Sequence, residues 1–192
     1  MPLLVNDGTS AAAKQEAAAR QAIFVERERH ANVRKGDLSY PIRIIRTDRY
    51  LYIRNFRPDL WPAGDPQMWK AVGPYGDIDP GPTKDVLISR RLDVGFAELF
   101  KLACGKRPAE ELYDLQKDPD AMHNVADTTE YRQPQQELRE QLEHWLTATA
   151  DPRAKAGGAY EAFDHYPYYG GPATELTPKT RPARTANPRR ER

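Results

Sequence analysis

Alternation of apolar and polar positions is clearest between residues 40 and 56. Tyr40-Pro41-Ile42-Arg43-Ile44-Ile45-Arg46 and Tyr50-Leu51-Tyr52-Ile53-Arg54-Asn55-Phe56 are β-branched and aromatic runs separated by Thr47-Asp48-Arg49, a pattern that predicts a β-hairpin. In the second run a period of two sets Leu51 and Ile53 on one face and Tyr50, Tyr52 and Arg54 on the other. The Leu51/Ile53 face is then expected to be core, and the other to carry polar tips. A shorter β-prone run, Ala22 to Glu26, leads into Glu26-Arg27-Glu28-Arg29-His30 and is expected to deliver those charges to a sheet edge. Glu110 to Leu115 predicts another short strand, followed by a turn over Gln116 to Asp120 in which Pro119 presets the backbone.

Helical spacing dominates further on. Leu138, Leu142, Trp145 and Leu146 recur at i, i+4, i+7 and i+8, which predicts an amphipathic helix with Arg139, Glu140 and Glu143 facing water. Pro134 belongs in its first turn, and Thr128 or Thr129 is the expected cap. Val86, Leu87, Leu92, Phe96, Leu99 and Phe100 give a rougher amphipathic spacing, read as one or two helices. The Ala-rich run from Ser10 to Ala22 suits a surface helix or a linker. Between Arg57 and Pro82, repeated Pro and Gly make regular structure improbable, while Trp61 and Trp69 argue for an ordered, packed loop. The expected fold class is α+β: a small antiparallel sheet of about four strands packed against a C-terminal amphipathic helix, with long irregular loops.

Composition narrows the function more than the fold. Lys plus Arg at 29 nearly cancels Asp plus Glu at 28, so the electrostatic footprint of a dedicated nucleic-acid or membrane-surface binder is missing. Neither nucleic acid nor a membrane is therefore an expected partner. No stretch approaches the ~20 consecutive apolar residues of a membrane span, and the Met1 to Gly8 segment does not read as a signal peptide. A single cysteine, Cys104, cannot form an internal disulfide, so compartment is left open and a full-length parent could be periplasmic or secreted.

Four segments, read in order, resemble the C-terminal region of sulfatases of the alkaline-phosphatase-like superfamily, in particular the branch of heparan N-sulfatase-like bacterial enzymes. Pro2-Leu3-Leu4 looks like the end of the large catalytic domain, followed after a linker by the strand ending in Glu26 to His30. The hairpin containing Arg46-Thr47-Asp48-Arg49-Tyr50-Leu51-Tyr52-Ile53-Arg54-Asn55-Phe56 is the second, and the loop Pro58-Asp59-Leu60-Trp61-Pro62-Ala63-Gly64-Asp65-Pro66 the third. Glu111-Leu112-Tyr113-Asp114-Leu115, then Asp118-Pro119, then Asn124-Val125-Ala126, is the fourth and most specific. The resemblance covers roughly residues 1 to 170. It implies three parts: residues 1–21 as the end of a catalytic domain and linker, 22–150 as the sulfatase C-terminal subdomain, and 151–192 as a Pro/Gly/Tyr-rich tail with a disordered end.

The resemblance also says which chemistry to look for. A sulfatase uses a metal to neutralise the sulfo oxygens and a formylglycine hydrate to attack sulfur. In the family the nucleophile arises from a Cys or Ser in Cys/Ser-x-Pro-x-Arg, whereas Cys104 is followed by Gly105-Lys106-Arg107. The chain contains neither the Asp-Asp nor the Asp-Asn pair expected of the metal ligands, so no catalytic or metal-binding residue is assigned. Calcium and formylglycine are expected in a catalytic domain outside this chain, and that domain is the expected partner, with a sulfated glycan as its ligand.

Substrate contact is expected at one segment. Glu28, Arg29 and His30 lie, in the family, near the pocket of the large domain, where they would bind sugar hydroxyls or anionic groups. A solvated inter-domain ion network explains the same charges. Trp61 and Trp69 suit sugar stacking or loop packing, with packing favoured, and Tyr166, Tyr168 and Tyr169 could dock the tail on the catalytic domain. Besides the sulfatase subdomain, two readings stay open: a glycan-binding module built on Arg43, Arg46, Arg49, Arg54 and Arg57, and an inactive gene fragment.

Overall fold

The computed structural model describes residues 10–11, 14–15, 20–67 and 73–154. Pro2-Leu3-Leu4, Trp69 and the tyrosines of the tail lie outside them. Four strands, β1 (Ile23–Arg27), β2 (Ile42–Arg46), β3 (Tyr50–Asn55) and β4 (Glu110–Asp114), form one antiparallel sheet in chain order. The fold is α+β, with β1 an edge strand as its position before the charged run predicts. The hairpin turn is held by Thr47, whose Oγ1 accepts the Tyr50 amide at 2.9 Å while its own amide donates to the Tyr50 carbonyl.

Helix α3 (Arg132–Ala148) packs across one face of the sheet. Its Leu138, Leu142 and Leu146 bury against Ile45, Tyr52 and Leu112, with Tyr131 closing one end of the cluster. Phe24 of β1 stacks on Trp145 with ring centroids 4.9 Å apart. The face assignment from the sequence is thereby reversed: Tyr52 is fully buried under the helix, while Leu51 and Ile53 are half-buried on the opposite side. A tyrosine ring offers more area to the leucine stripe than Leu or Ile, and Arg54 on the same side reaches past the helix edge to Glu143 at 2.9 Å. Arg139 departs from the expectation too. Its guanidinium is not left to water but grips Glu110 with two nitrogens, the shorter contact at 2.6 Å. No side chain caps α3; a 3₁₀ turn over Thr129–Tyr131 leads into it, and Gln135 accepts the Asp127 amide.

The fourth sequence signature proves to be a backbone clamp on β4. Asn124 Oδ1 accepts the amides of Leu112 and Ala126, and the Val125 amide donates to the Leu112 carbonyl, so the segment after the turn seals the free edge of the strand. Asp114 accepts the Gln116 amide and Arg49, and Asp118 accepts the His123 amide. These residue types recur because each carboxylate or amide oxygen satisfies a backbone donor that the turn would otherwise strand.

Between β3 and β4 the chain makes a long excursion. Its first part is irregular, and helices α1 (Pro82–Ser89) and α2 (Ala97–Cys104) follow. A second small core of Ala63, Tyr75 and Cys104, flanked by Trp61, Ile78, Ile88 and Phe100, holds this lobe together. Trp61 and Tyr75 meet edge to face at 5.8 Å, so Trp61 is a packing residue here. The predicted apolar stripe is not continuous: Val86 and Leu99 are exposed on their helices, and Leu92 is 85% exposed because it sits in the turn between the two helices and not on either.

Candidate functional site

Glu28, Arg29 and His30 leave the end of β1 together, but the fold turns them to different partners. Glu28 faces inward. Its carboxylate accepts Arg43 Nη2 at 2.7 Å and Arg153 Nη2 at 2.6 Å, and both guanidiniums are 2% exposed. Arg43 also makes a two-pronged pair with Asp151, and Asp151 in turn accepts the Arg153 amide at 2.7 Å. Two buried cations and two anions thus balance inside the fold, each with hydrogen bonds that offset its lost hydration, and the more exposed Glu26 lies at the rim 3.6 Å from Arg43. Burial alone would raise the Asp151 carboxyl, yet Arg43 and the Arg153 amide hold it below the usual carboxylate range. Asp151 and Arg153, which the sequence places in the tail, are tied to the sheet by this cluster.

Arg29 and His30 point the other way. Arg29 Nη1 donates to the Asp37 carbonyl at 2.6 Å, while the His30 ring is 65% exposed, with Nδ1 3.7 Å from Asp77 Oδ1. Asp77 comes from the Pro/Gly-rich loop. Its carboxylate accepts the Ala31 amide and Arg34 Nη2, which fixes it beneath the imidazole. Arg34 straps the two segments together, donating from Nε to the Trp61 carbonyl at 2.8 Å and from Nη2 to the Pro62 carbonyl at 2.6 Å. Burial draws the Arg34 guanidinium down, and Asp77 works against it. Gly64 makes this close approach possible: its φ is +100°, and a Cβ there would meet Val33 Cγ2 at 2.8 Å.

The result is a surface platform with His30 at its tip, Arg29 beside it and Asp77 below. Glu28 is separated from it by the direction of its side chain. Asp77, Arg34, Arg43, Asp151 and Arg153 are all absent from the sequence-based site. Asp77 and Arg34 lie in irregular chain, where periodicity carries no signal, and Asp151 and Arg153 meet Arg43 and Glu28 only through contacts more than 100 residues apart.

Elsewhere the geometry offers little reacting chemistry. Cys104 is buried at the end of α2, and burial pushes its thiol up, opposite to what activates a nucleophile. Among the described residues no group of three or more His, Cys, Asp or Glu could hold a metal ion. No helix among them is long and apolar enough to cross a membrane. Of the hairpin arginines, Arg43 is buried with Asp151 and Glu28, Arg49 pairs with Asp114, Arg54 with Glu143 and Arg57 with Asp59. Arg46 is exposed and shares a cleft of about 370 Å³ with Arg20. A larger open groove of about 640 Å³ lies along Phe24 and Trp145, and its Glu137 and Glu140 would repel an anionic glycan.

No family model matches the sequence. The chain is 33% identical over 114 residues to an ulvan-active sulfatase of Formosa agariphila, a match that takes in 57% of this chain and 17% of that protein. A second ulvan-active sulfatase of the same organism is 31% identical over 112 residues, covering 58% of this chain and 18% of the relative. A solved 2-O GAG sulfatase aligns with a TM-score of 0.40 at 18% identity, over 83% of this chain and 23% of that one. The chain carries a C-terminal sulfatase-like region and spans less than a fifth of the length of the curated relatives it matches.

Proposed function

We propose that this chain is the C-terminal subdomain of a sulfatase acting on sulfate esters or N-sulfo groups of glycans, and that it works only with a catalytic domain that brings the calcium and the formylglycine. The observation that carries the reading is the 114-residue match to an ulvan-active sulfatase nearly six times longer than the matched stretch. The internal pairing of the hairpin arginines supports a scaffold role, since four of the five guanidiniums are already neutralised. In this reading Arg29 and His30 form part of the substrate rim, with His30 donating to a sulfo or hydroxyl oxygen and Glu28 anchoring the segment from beneath.

The test is a chimaera: the full-length Formosa agariphila sulfatase with its matched region replaced by residues 20–154 of this chain, assayed for sulfate release from ulvan. Release by the chimaera, and none by the isolated chain, is expected. A folded chimaera that releases nothing, or an isolated chain that releases sulfate, would defeat the proposal. The glycan-binding alternative rests on the Arg46/Arg20 cleft and predicts salt-sensitive heparin affinity that Arg46→Ala abolishes. The absence of heparin binding at low salt removes it.

A further inference from the structure

An antiparallel sheet with one wet face alternates apolar and polar residues along each strand. This sheet does not. The face under α3 carries Phe24, Ile45, Tyr52 and Leu112, yet the opposite face is also apolar across three strands. Register sets Val25 beside Ile44 and Ile44 beside Ile53 in one row, with Ile23, Arg46 and Leu51 in the next. Val25 is 46% and Ile23 42% exposed, and Ile44, Leu51 and Ile53 are only half-buried. Helix α3 is the only long helix among the described residues, and it lies on the other side.

Strands that are apolar on both sides belong to a sheet sandwiched between two layers; here Glu111 and Tyr113 of β4 are buried on that second side, while among the described residues no helix covers its β1 side, where Ile23 and Val25 are exposed. We infer that the Ile23/Val25/Ile44/Ile53/Leu51 face is the seat of the sulfatase catalytic body, and that α3 is turned away from it. This rests on the reading under Proposed function. The occupant follows from size, since more than four-fifths of each relative lies outside the matched region. Its chemistry follows from the patch: an apolar layer with a carboxylate or carbonyl oxygen opposite Arg46, the exposed cation in that row.

The same chimaera supplies the test. Ile23→Lys/Val25→Lys changes two side chains of an edge strand that are already well exposed, and Val25→Thr is a milder variant that keeps the β-branched shape. Glu140→Lys, on the outer side of α3, is the control. In the unsubstituted chimaera residues 20–154 are expected to resist protease and melt together with the body. The double lysine variant is expected to lose that protection and melt as a separate unit, Val25→Thr to lose part of it, and Glu140→Lys to lose none. If the double lysine chimaera stays protected, the face is not the seat, while sulfate release still upholds the sulfatase reading. If the unsubstituted chimaera folds but its two parts melt separately, the seat fails, and with no sulfate release the sulfatase reading fails with it. Sedimentation of the isolated chain completes the test: a dimer split by the lysine variant would make a second copy the occupant and overturn the proposal, and a monomer supports it.

Discussion

Arg43 and Asp151 meet inside the fold, 108 residues apart in sequence, with Nε to Oδ2 at 2.8 Å and Nη2 to Oδ1 at 3.1 Å. Both side chains are 2% exposed, so neither can fall back on water if the other is removed. Asp151→Ala leaves Arg43 with Glu28 and, at 3.6 Å, the more exposed Glu26, and breaking a buried pair in this way costs about 3–5 kcal/mol. Urea denaturation is expected to show a loss of that size. A loss below ~1 kcal/mol would mean the pair behaves as a surface contact.

Acid should unfold this chain in a defined window. The carboxyls of Asp151, Asp114 and Glu110 all face an upward push from burial, and in each the hydrogen-bonded arginine and nearby donors win, holding the folded value below the ordinary one. A depressed carboxyl stabilises the fold fully above its unfolded pKa, about 4, and that stabilisation is lost as pH falls through the lower folded value. Urea midpoints should therefore be flat from neutrality to about pH 5 and fall steeply below about pH 4. Asp114→Asn should make that fall shallower, and an unchanged slope would contradict the assignment.

Gly64→Ala tests the strap between the platform and the loop. The substitution combines a φ of +100° with a Cβ driven into Val33 and the Gly76 amide nitrogen, and such backbone strain costs about 1–3 kcal/mol. Hydrogen exchange should quicken at Asp65, whose amide donates to the Val33 carbonyl, before it quickens in the sheet.

Leu142 and Leu92 both belong to apolar spacings in the sequence but differ in surroundings, with Leu142 fully buried and Leu92 open to solvent. Leu142→Ala should cost about 2–5 kcal/mol, and Leu92→Ala should stay within about 0.5 kcal/mol of the parent. Thermal melts of the two variants side by side decide the point.

The contrast between those two leucines shows what periodicity can carry. The hairpin, β4 and α3 are legible because their repeats extend over several turns or alternations, and Leu138, Leu142 and Leu146 land where the spacing puts them. The buried side of β3 is not legible, since Tyr52 and Leu51 alternate equally well in either sense and only the position of α3 decides. Charged residues mislead for a related reason. Arg43 looks like a solvent-facing member of an alternating strand, and it is buried because Glu28 and Asp151 arrive from distant parts of the chain. Of the candidate site, the His30 ring is exposed, and the carboxylate beneath it could not be read from a loop without a repeat.

Sheet order has a consequence for change over time. β3 and β4 are neighbours, yet residues 56–109 intervene, and only the ends of that excursion join the strand pairing, Phe56 donating to the Pro41 carbonyl and the Ala109 carbonyl accepting the Asn55 amide. Doubling its length would add only about 0.6 kcal/mol of loop-closure entropy. The frame of four strands and one helix can therefore stay fixed while the lobe beside His30, with Trp61, Asp77 and the short helices, is lengthened, shortened or exchanged. Change can accumulate there without the frame having to be invented again.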